Sequence, residues 1–340
     1  MSYTFKNTEI NNEKASVFET KSLLYLIGKS VDKKHIEYIT FDCFNDVSGI
    51  DKGFKNIWDI QSKNEANLNP KKIGKYLFTL FDNYISSFNF KEFIFFCPKL
   101  KDDYKVDVGL LSYSLSNIAT DTSNRIKAGL EEEVRWVKGT ALDYSIKINS
   151  FLSKVLFVED SYKEHEYLKS ITKFKNKKLK TDYFYLTVFK ELRDIQSSKK
   201  NSYIENESII EIIDVINFRR HLRILDIDTL LICRIIGCEI FQYNSIPLHF
   251  FEIVKELDKE DVQDILLNCN SNLSRCFFNK VSTREFWRIC EFIIQYFESS
   301  DTFDINIIYT SIFSSYVPKY KYLDEITIKY LIALTIEGLT

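Results

Sequence analysis

The chain predicts an α/β N-terminal domain, a mixed sheet flanked by helices, followed by a mostly α-helical C-terminal domain. Three observations carry this. Hydrophobic spacing switches between period two and period three-to-four as far as Pro98. Apolar residues at helical spacing dominate from Ile204 onward. Turn residues are scarce, with 9 Gly and 4 Pro in 340 residues.

Ser16 to Lys29 reads as a helix, with Val17, Leu23, Leu24 and Ile27 as its stripe, Ser16 as its cap and Glu19 placed as in a capping box. His35 to Phe41 is a strand. The loop Asn45-Asp46-Val47-Ser48-Gly49 and the turn Asp51-Lys52-Gly53 lead to a second strand, Phe54 to Lys63, hairpin-paired with the first. Pro70 suits a helix start, and Ile73, Tyr76, Leu77, Leu80, Phe81, Tyr84 and Ile85 make Lys71 to Ser86 one amphipathic helix. Glu92 to Cys97 is a continuous apolar run ended by Pro98, a buried strand beside Phe54 to Lys63.

Leu130 to Val137 and Ala141 to Phe151 suit helices, and Val155 to Val158 a short strand. The apolar sets Ile209 to Ile213, Leu230 to Ile236, Trp287 to Ile293 and Ile326 to Ile336 read as helix cores, with no fixed-period repeat. The boundaries are 10–160 for the α/β domain, 161–200 for a basic connector, loose or helical, and 201–340 for the helical domain.

Hydrophobic residues make up 45% of the chain, with 20 Tyr and 28 Phe, which excludes a disordered protein. A net charge of −2 argues against a constitutive nucleic-acid coat while leaving room for a local basic groove. Seven scattered cysteines without a CxxC pair suit free thiols in a reducing compartment. The polar N-terminus has no signal-peptide core, and no run approaches the roughly 18 apolar residues of a membrane span, so the expectation is a cytoplasmic protein with no membrane partner. GxxxxGK[ST], GxSxG, HExxH and EF-hand patterns are missing, and the four histidines have no metal or acid–base spacing.

The chemistry concentrates in Ile57-Trp58-Asp59-Ile60-Gln61-Ser62-Lys63, where alternation puts Asp59, Gln61 and Lys63 on one face. A strand-borne lysine two residues beyond a polar side chain suits stabilisation of charge developing on a phosphodiester. Asp46 offers the carboxylate that Mg²⁺ requires, with Mn²⁺ as a substitute. Asp42 and Asp59 are further oxygen ligands or neighbours, and Glu19 from the first helix suits the same sheet edge. The same residues also fit a solvated strand face and a charged turn. The basic run Lys173, Lys175, Lys177, Lys178 and Lys180 suits DNA phosphates, or equally a plain surface patch diluted by Glu164 and Glu166.

Glutamate in the first helix, an acid after the first strand, and Gln-x-Lys on the next strand together resemble the PD-(D/E)xK restriction-endonuclease-like superfamily. The likeness covers about residues 10 to 100 and is greatest to effector nucleases of bacterial antiphage systems, the type fused to cyclic-nucleotide sensors or paired with SMC-like or ABC-type ATPases. The resemblance implies Asp46 as the metal-binding acid, Gln61 as the variant first position of the second motif, Lys63 as the catalytic lysine and Glu19 as the helix glutamate. Asn45-Asp46 replaces the usual Pro-Asp, so Asp42 and Asp46 both stand as metal candidates, with Gln61 expected to share the ion with Asp46. It further implies a metal-dependent endonuclease acting on double-stranded DNA, with a protein partner or homo-oligomer and a helical sensor or docking domain. The alternative is a non-catalytic adaptor that keeps the fold.

Overall fold

The computed structural model describes residues 3–4, 13–201, 204, 207–300 and 302–339. The start assigned at residue 10 and residues 205 and 206 of the segment read as helical lie outside these. The chain forms two compact units, Met1–Ile171 with Phe189–Ile224, and Thr172–Val188 with Leu225–Thr340. As predicted, a mixed sheet flanked by helices precedes a mostly helical region.

The first unit runs β1 (Tyr3–Thr4), α1 (Glu13–Gly28), β2 (Ile36–Phe41), β3 (Val47–Asp51), β4 (Ile57–Ser62), α2 (Pro70–Tyr76), α3 (Phe78–Tyr84) and β5 (Phe90–Pro98). It continues with β6 (Ser112–Ser114), α4 (Thr120–Lys138), α5 (Ser145–Leu152), β7 (Val155–Asp160) and α6 (Glu164–Ile171). The C-terminal part of α7 (Asp182–Lys199), then β8 (Ser208–Ile209) and β9 (His221–Arg223), complete it. The main sheet has the order β6-β7-β5-β4-β3-β2-β9. Strands β4, β5 and β7 are parallel, and the neighbours on either side are antiparallel.

Alternation in β5 shows how the sheet is covered. Phe93 and Phe95 face a core built with Ile73, Leu80 and Phe81 of α2 and α3 and Ile126, Leu130 and Phe151 of α4 and α5. Phe96 faces the other way, onto Phe18 of α1 and Tyr167 of α6. Buried on both faces, β5 reads as an apolar run from Phe93 to Cys97, whereas β4 is buried with polar Asp59, Gln61 and Ser62 within it. Asn69 caps α2 by accepting from the Lys71 amide, with Pro70 in the first turn. Helices α2 and α4 cross with their backbones in contact: a Cβ on Gly74 would lie 1.9 Å from the Ile126 carbonyl oxygen, and one on Gly129 would lie 2.0 Å from that of Lys71.

The second unit contains α8 (Ile224–Ile236), α9 (Phe251–Val254), α10 (Lys259–Phe278), α11 (Thr283–Phe297), α12 (Ile305–Phe313) and α13 (Glu325–Leu339). Asp258 and Asp304 cap α10 and α12 through paired backbone amides. Helix α13 is buried almost throughout, from Thr327 to Ile336, and packs against α10, α11 and α12. Its apolar residues fit no narrow stripe because it is the centre of this unit.

The structure corrects five local expectations. Ser16 lies inside α1, which begins at Glu13, so it is not the cap. The segment read as loop and turn between the first two strands is β3, which separates β2 from β4. Lys71 to Ser86 is two helices meeting at Leu77. Ile209 to Ile213 is the end of β8 and the start of a 3-10 turn, Ile212–Ile216. Cys233 and Cys238, which read as core of one apolar helix, part company: Cys233 is buried in α8, whereas Cys238 lies beyond its end at Ile236, half-buried.

Candidate active site

Strand register assembles the site. Val47 opposes Ile60, so Asp46, one residue earlier, falls opposite Gln61. Phe41 opposes Val47, so Asp42 falls beside Asp46. Asp42, Asp46 and Gln61 therefore form a row across three neighbouring strands at one end of the sheet. Asp42 has φ of 52°, a left-handed conformation that aspartate tolerates, where the chain leaves β2.

Asp46 Oδ2 accepts from Gln61 Nε2 at 2.8 Å, from the Ser62 amide at 2.7 Å and from Ser62 Oγ at 2.8 Å. Thr79 of α3 donates to Gln61 Oε1 at 2.6 Å. The Gln61 amide thus meets Asp46 through nitrogen, with its oxygen on Thr79. Lys63 follows β4, its amide donating to the Phe96 carbonyl at 3.0 Å. Its half-buried side chain brings Nζ to 5.4 Å from the centre of the Tyr76 ring. Among the described residues Lys63 has no carboxylate partner.

Asp59 does not line this row. It is fully buried behind it, accepting from Asn45 Nδ2, from Ser48 Oγ at 2.8 Å and from Asn83 Nδ2 at 2.7 Å. Burial pushes its carboxyl up to about 6, against the pull of these three hydrogen bonds. Asn83 also donates to the Phe44 carbonyl at 3.3 Å, so the network pins the 43–46 loop that carries Asp46.

Glu19 arrives from α1. Lys200, just beyond α7, donates to Glu19 Oε2 and lies 2.9 Å from Asp42 Oδ1. Arg220 reaches Asp42 Oδ2 at 3.4 Å and donates to the Lys200 carbonyl at 2.7 Å. Burial pushes Glu19 up to about 7; Lys200 pulls it down, and Asp46 and Asp42 add to the rise. Asp42 is raised by burial as well, against Lys200 and Arg220. Burial works to lower the Lys200 pKa, yet Glu19 and Asp42 hold it above its ordinary value.

Glu19, Asp42 and Asp46 are hard oxygen donors of the kind Mg²⁺ takes, so the donor chemistry fits such an ion. Their orientation is another matter. Among the described residues no three of His, Cys, Asp or Glu converge as a ligand group, and Lys200 stands between Glu19 and Asp42.

No protein-family model matches the chain, and no curated protein matches it. Among solved structures, the Acinetobacter baumannii Cap4 SAVED/CARF-domain containing receptor with the cyclic trinucleotide 3'3'3'-cAAA is similar at 12% identity, with a TM-score of 0.36 over 85% of this chain and 69% of that one. A TM-score of that size is too low to establish a shared fold.

The lysine run lies in the second unit, largely engaged there. Lys173 pairs with Asp228 at 2.6 Å, Lys177 donates to the Thr172 carbonyl at 2.6 Å, and burial lowers the pKa of Lys180. Lys175 and Lys178 are exposed. Among the described residues no helix is long and apolar enough to cross a membrane. Sequence reasoning missed Thr79, Lys200 and Arg220. Thr79 sits at helical spacing from Asn83, a signal that two polar residues share one face of an otherwise apolar helix. Lys200 and Arg220 carry no local signal at all.

Proposed function

We propose that this chain is a metal-dependent DNA endonuclease of the PD-(D/E)xK type, the effector of an antiviral system, switched on by a partner or signal that its helical region receives. The observation that carries the reading is the row Asp42, Asp46, Gln61, with Lys63 next along β4 and unneutralised. The element order α1-β2-β3-β4-α2-α3-β5 supports it, since it puts the acid at the start of one central strand and Gln-x-Lys at the end of the next.

Glu19, Asp42 and Asp46 would hold the cation, which when bound supplies a Lewis acid and an activated water. Gln61 and Ser62 orient Asp46 by hydrogen bonds, Thr79 holds Gln61 in turn, and the Asp59 network holds the loop from behind. Lys63 brings a positive charge to offset the charge developing on the scissile phosphate. With a net charge of −2 the isolated chain binds DNA weakly, so it acts after assembly, as a pair or beside a partner such as an SMC-like or ABC-type ATPase.

Incubating the chain with plasmid and Mg²⁺ or Mn²⁺, with and without the proteins encoded beside it, tests this. Cleavage lost in Lys63→Ala and Asp46→Ala proteins is the expected result. The adaptor reading has one observation in its favour, the Lys200 ammonium between Glu19 and Asp42. Protection against phage that survives Lys63→Ala, without cleavage by any preparation, would establish it.

A further inference from the structure

We infer that Lys200 is an internal counter-ion that takes the cation's place between Glu19 and Asp42 and holds this site shut until its ammonium is withdrawn. The inference rests on the metal-dependent reading of the site and adds its regulation.

Geometry comes first. The Lys200 ammonium is hydrogen-bonded to Glu19 and lies 2.9 Å from Asp42, with its side chain only 8% exposed. An ammonium and a divalent ion need the same carboxylate lone pairs and repel each other, so the two are mutually exclusive there. Charge points the same way. With all groups ionised, three carboxylates, Glu19, Asp42 and Asp46, face two cations, Lys200 and Arg220, leaving one negative charge in surplus. Exchanging Lys200 for a divalent cation makes the cluster neutral.

The placement of Lys200 is built, not accidental. Ser197 and Gln196, on the last turn of α7, bond Ser16 at 2.8 Å and Thr20 at 2.9 Å on α1. Gln196 also donates to Glu19 at 3.3 Å. Residues 16, 19 and 20 on one helix thus meet 196, 197 and 200 at matching spacing, three and four apart. These seam contacts are polar and lie beside the site. That suits a contact that opens on a signal better than one that holds the fold.

Mn²⁺ binding to the full chain, followed by electron paramagnetic resonance, tests the latch in wild type, Lys200→Met and Lys200→Met/Asp46→Ala proteins. A closed fraction weakens apparent affinity in proportion, so Lys200→Met should bind about tenfold tighter or more, and the double variant should lose the gain. Mn²⁺ should also raise the melting temperature of Lys200→Met more than that of wild type. Should the methionine variant not fold, Lys200→Gln keeps a donor to Glu19 without the charge and should show the same direction. Tight, Asp46-dependent binding by wild type that Lys200→Met and Lys200→Gln leave unchanged would overturn the latch and spare the metal site. Absence of binding in every variant would overturn both.

Discussion

Lys105 and Lys200 both meet carboxylates below the surface of the first unit, in opposite ways. Lys105 pairs with Glu159 at 2.9 Å, both side chains fully buried. The remaining capacity of Glu159 is filled by the Tyr113 hydroxyl at 2.6 Å and the Leu100 amide at 3.2 Å. One charge answers one charge, and burial together with Glu159 holds the Tyr113 hydroxyl protonated well above its ordinary range. Lys200 instead answers two carboxylates with a third in electrostatic range, and Glu19 is held near 7. A closed, matched pair has nothing to exchange. A mismatched cluster at the end of the sheet has a cation it can trade.

The largest difference should appear in stability. Lys105→Met leaves Glu159 buried without its cation and should cost about 3–5 kcal/mol in denaturant unfolding of the full chain. Lys200→Met should cost on the order of 1 kcal/mol, because Glu19 takes up a proton and Arg220 still faces Asp42. Equal losses would break the comparison. On the catalytic side, Lys63→Ala should lower plasmid cleavage by about 10²–10³-fold while unfolding changes by less than about 0.5 kcal/mol. Asp59→Ala orphans the donors of Asn45, Ser48 and Asn83 and should cost roughly 2 kcal/mol by the same unfolding measurement.

Glu92 is a third kind of carboxylate, half-buried, with an Oε2 that has no hydrogen-bond partner among the described residues. Burial, then the nearby Asp32, pushes it up to about 7. The folded chain binds this proton more tightly than the unfolded one. Its contribution is therefore greatest below about 4.5 and is lost as pH rises through 7. Glu92 is partly exposed, so the loss should be on the order of 1 kcal/mol, and Glu92→Gln should abolish this pH slope in thermal melts.

Much of the sheet was legible because β5 is a buried apolar run with a clear stop and β4 alternates, and Gln-x-Lys at the end of β4 pointed to the candidate edge. Strand β3 was not legible, for a physical reason. Its residues Val47-Ser48-Gly49 look like a turn, yet Ser48 is polar to bond the buried Asp59. Gly49 is small because a Cβ there would come within 3.0 Å of Leu26 and 3.1 Å of Ile36. Missing β3 hid the register that places Asp46 opposite Gln61. Glu19 and Asp42 could be named as acids near the edge. What they face could not, because Lys200 and Arg220 reach them across some 180 residues of chain, and only the fold brings the ends together.

The crossing of α2 and α4 bears on this edge too. At Gly74 and Gly129 two hydrogen atoms act as the spacer between backbones, and α2 carries Tyr76 beside Lys63 and leads through Leu77 into Thr79 on Gln61. A single methyl at residue 129 would wedge α2 upward and unseat Thr79 without touching any residue of the Asp42, Asp46, Gln61 row. Related chains that keep Gln-x-Lys should therefore keep glycine at both crossing points, a spacing gauge for the chemistry written far from it in sequence.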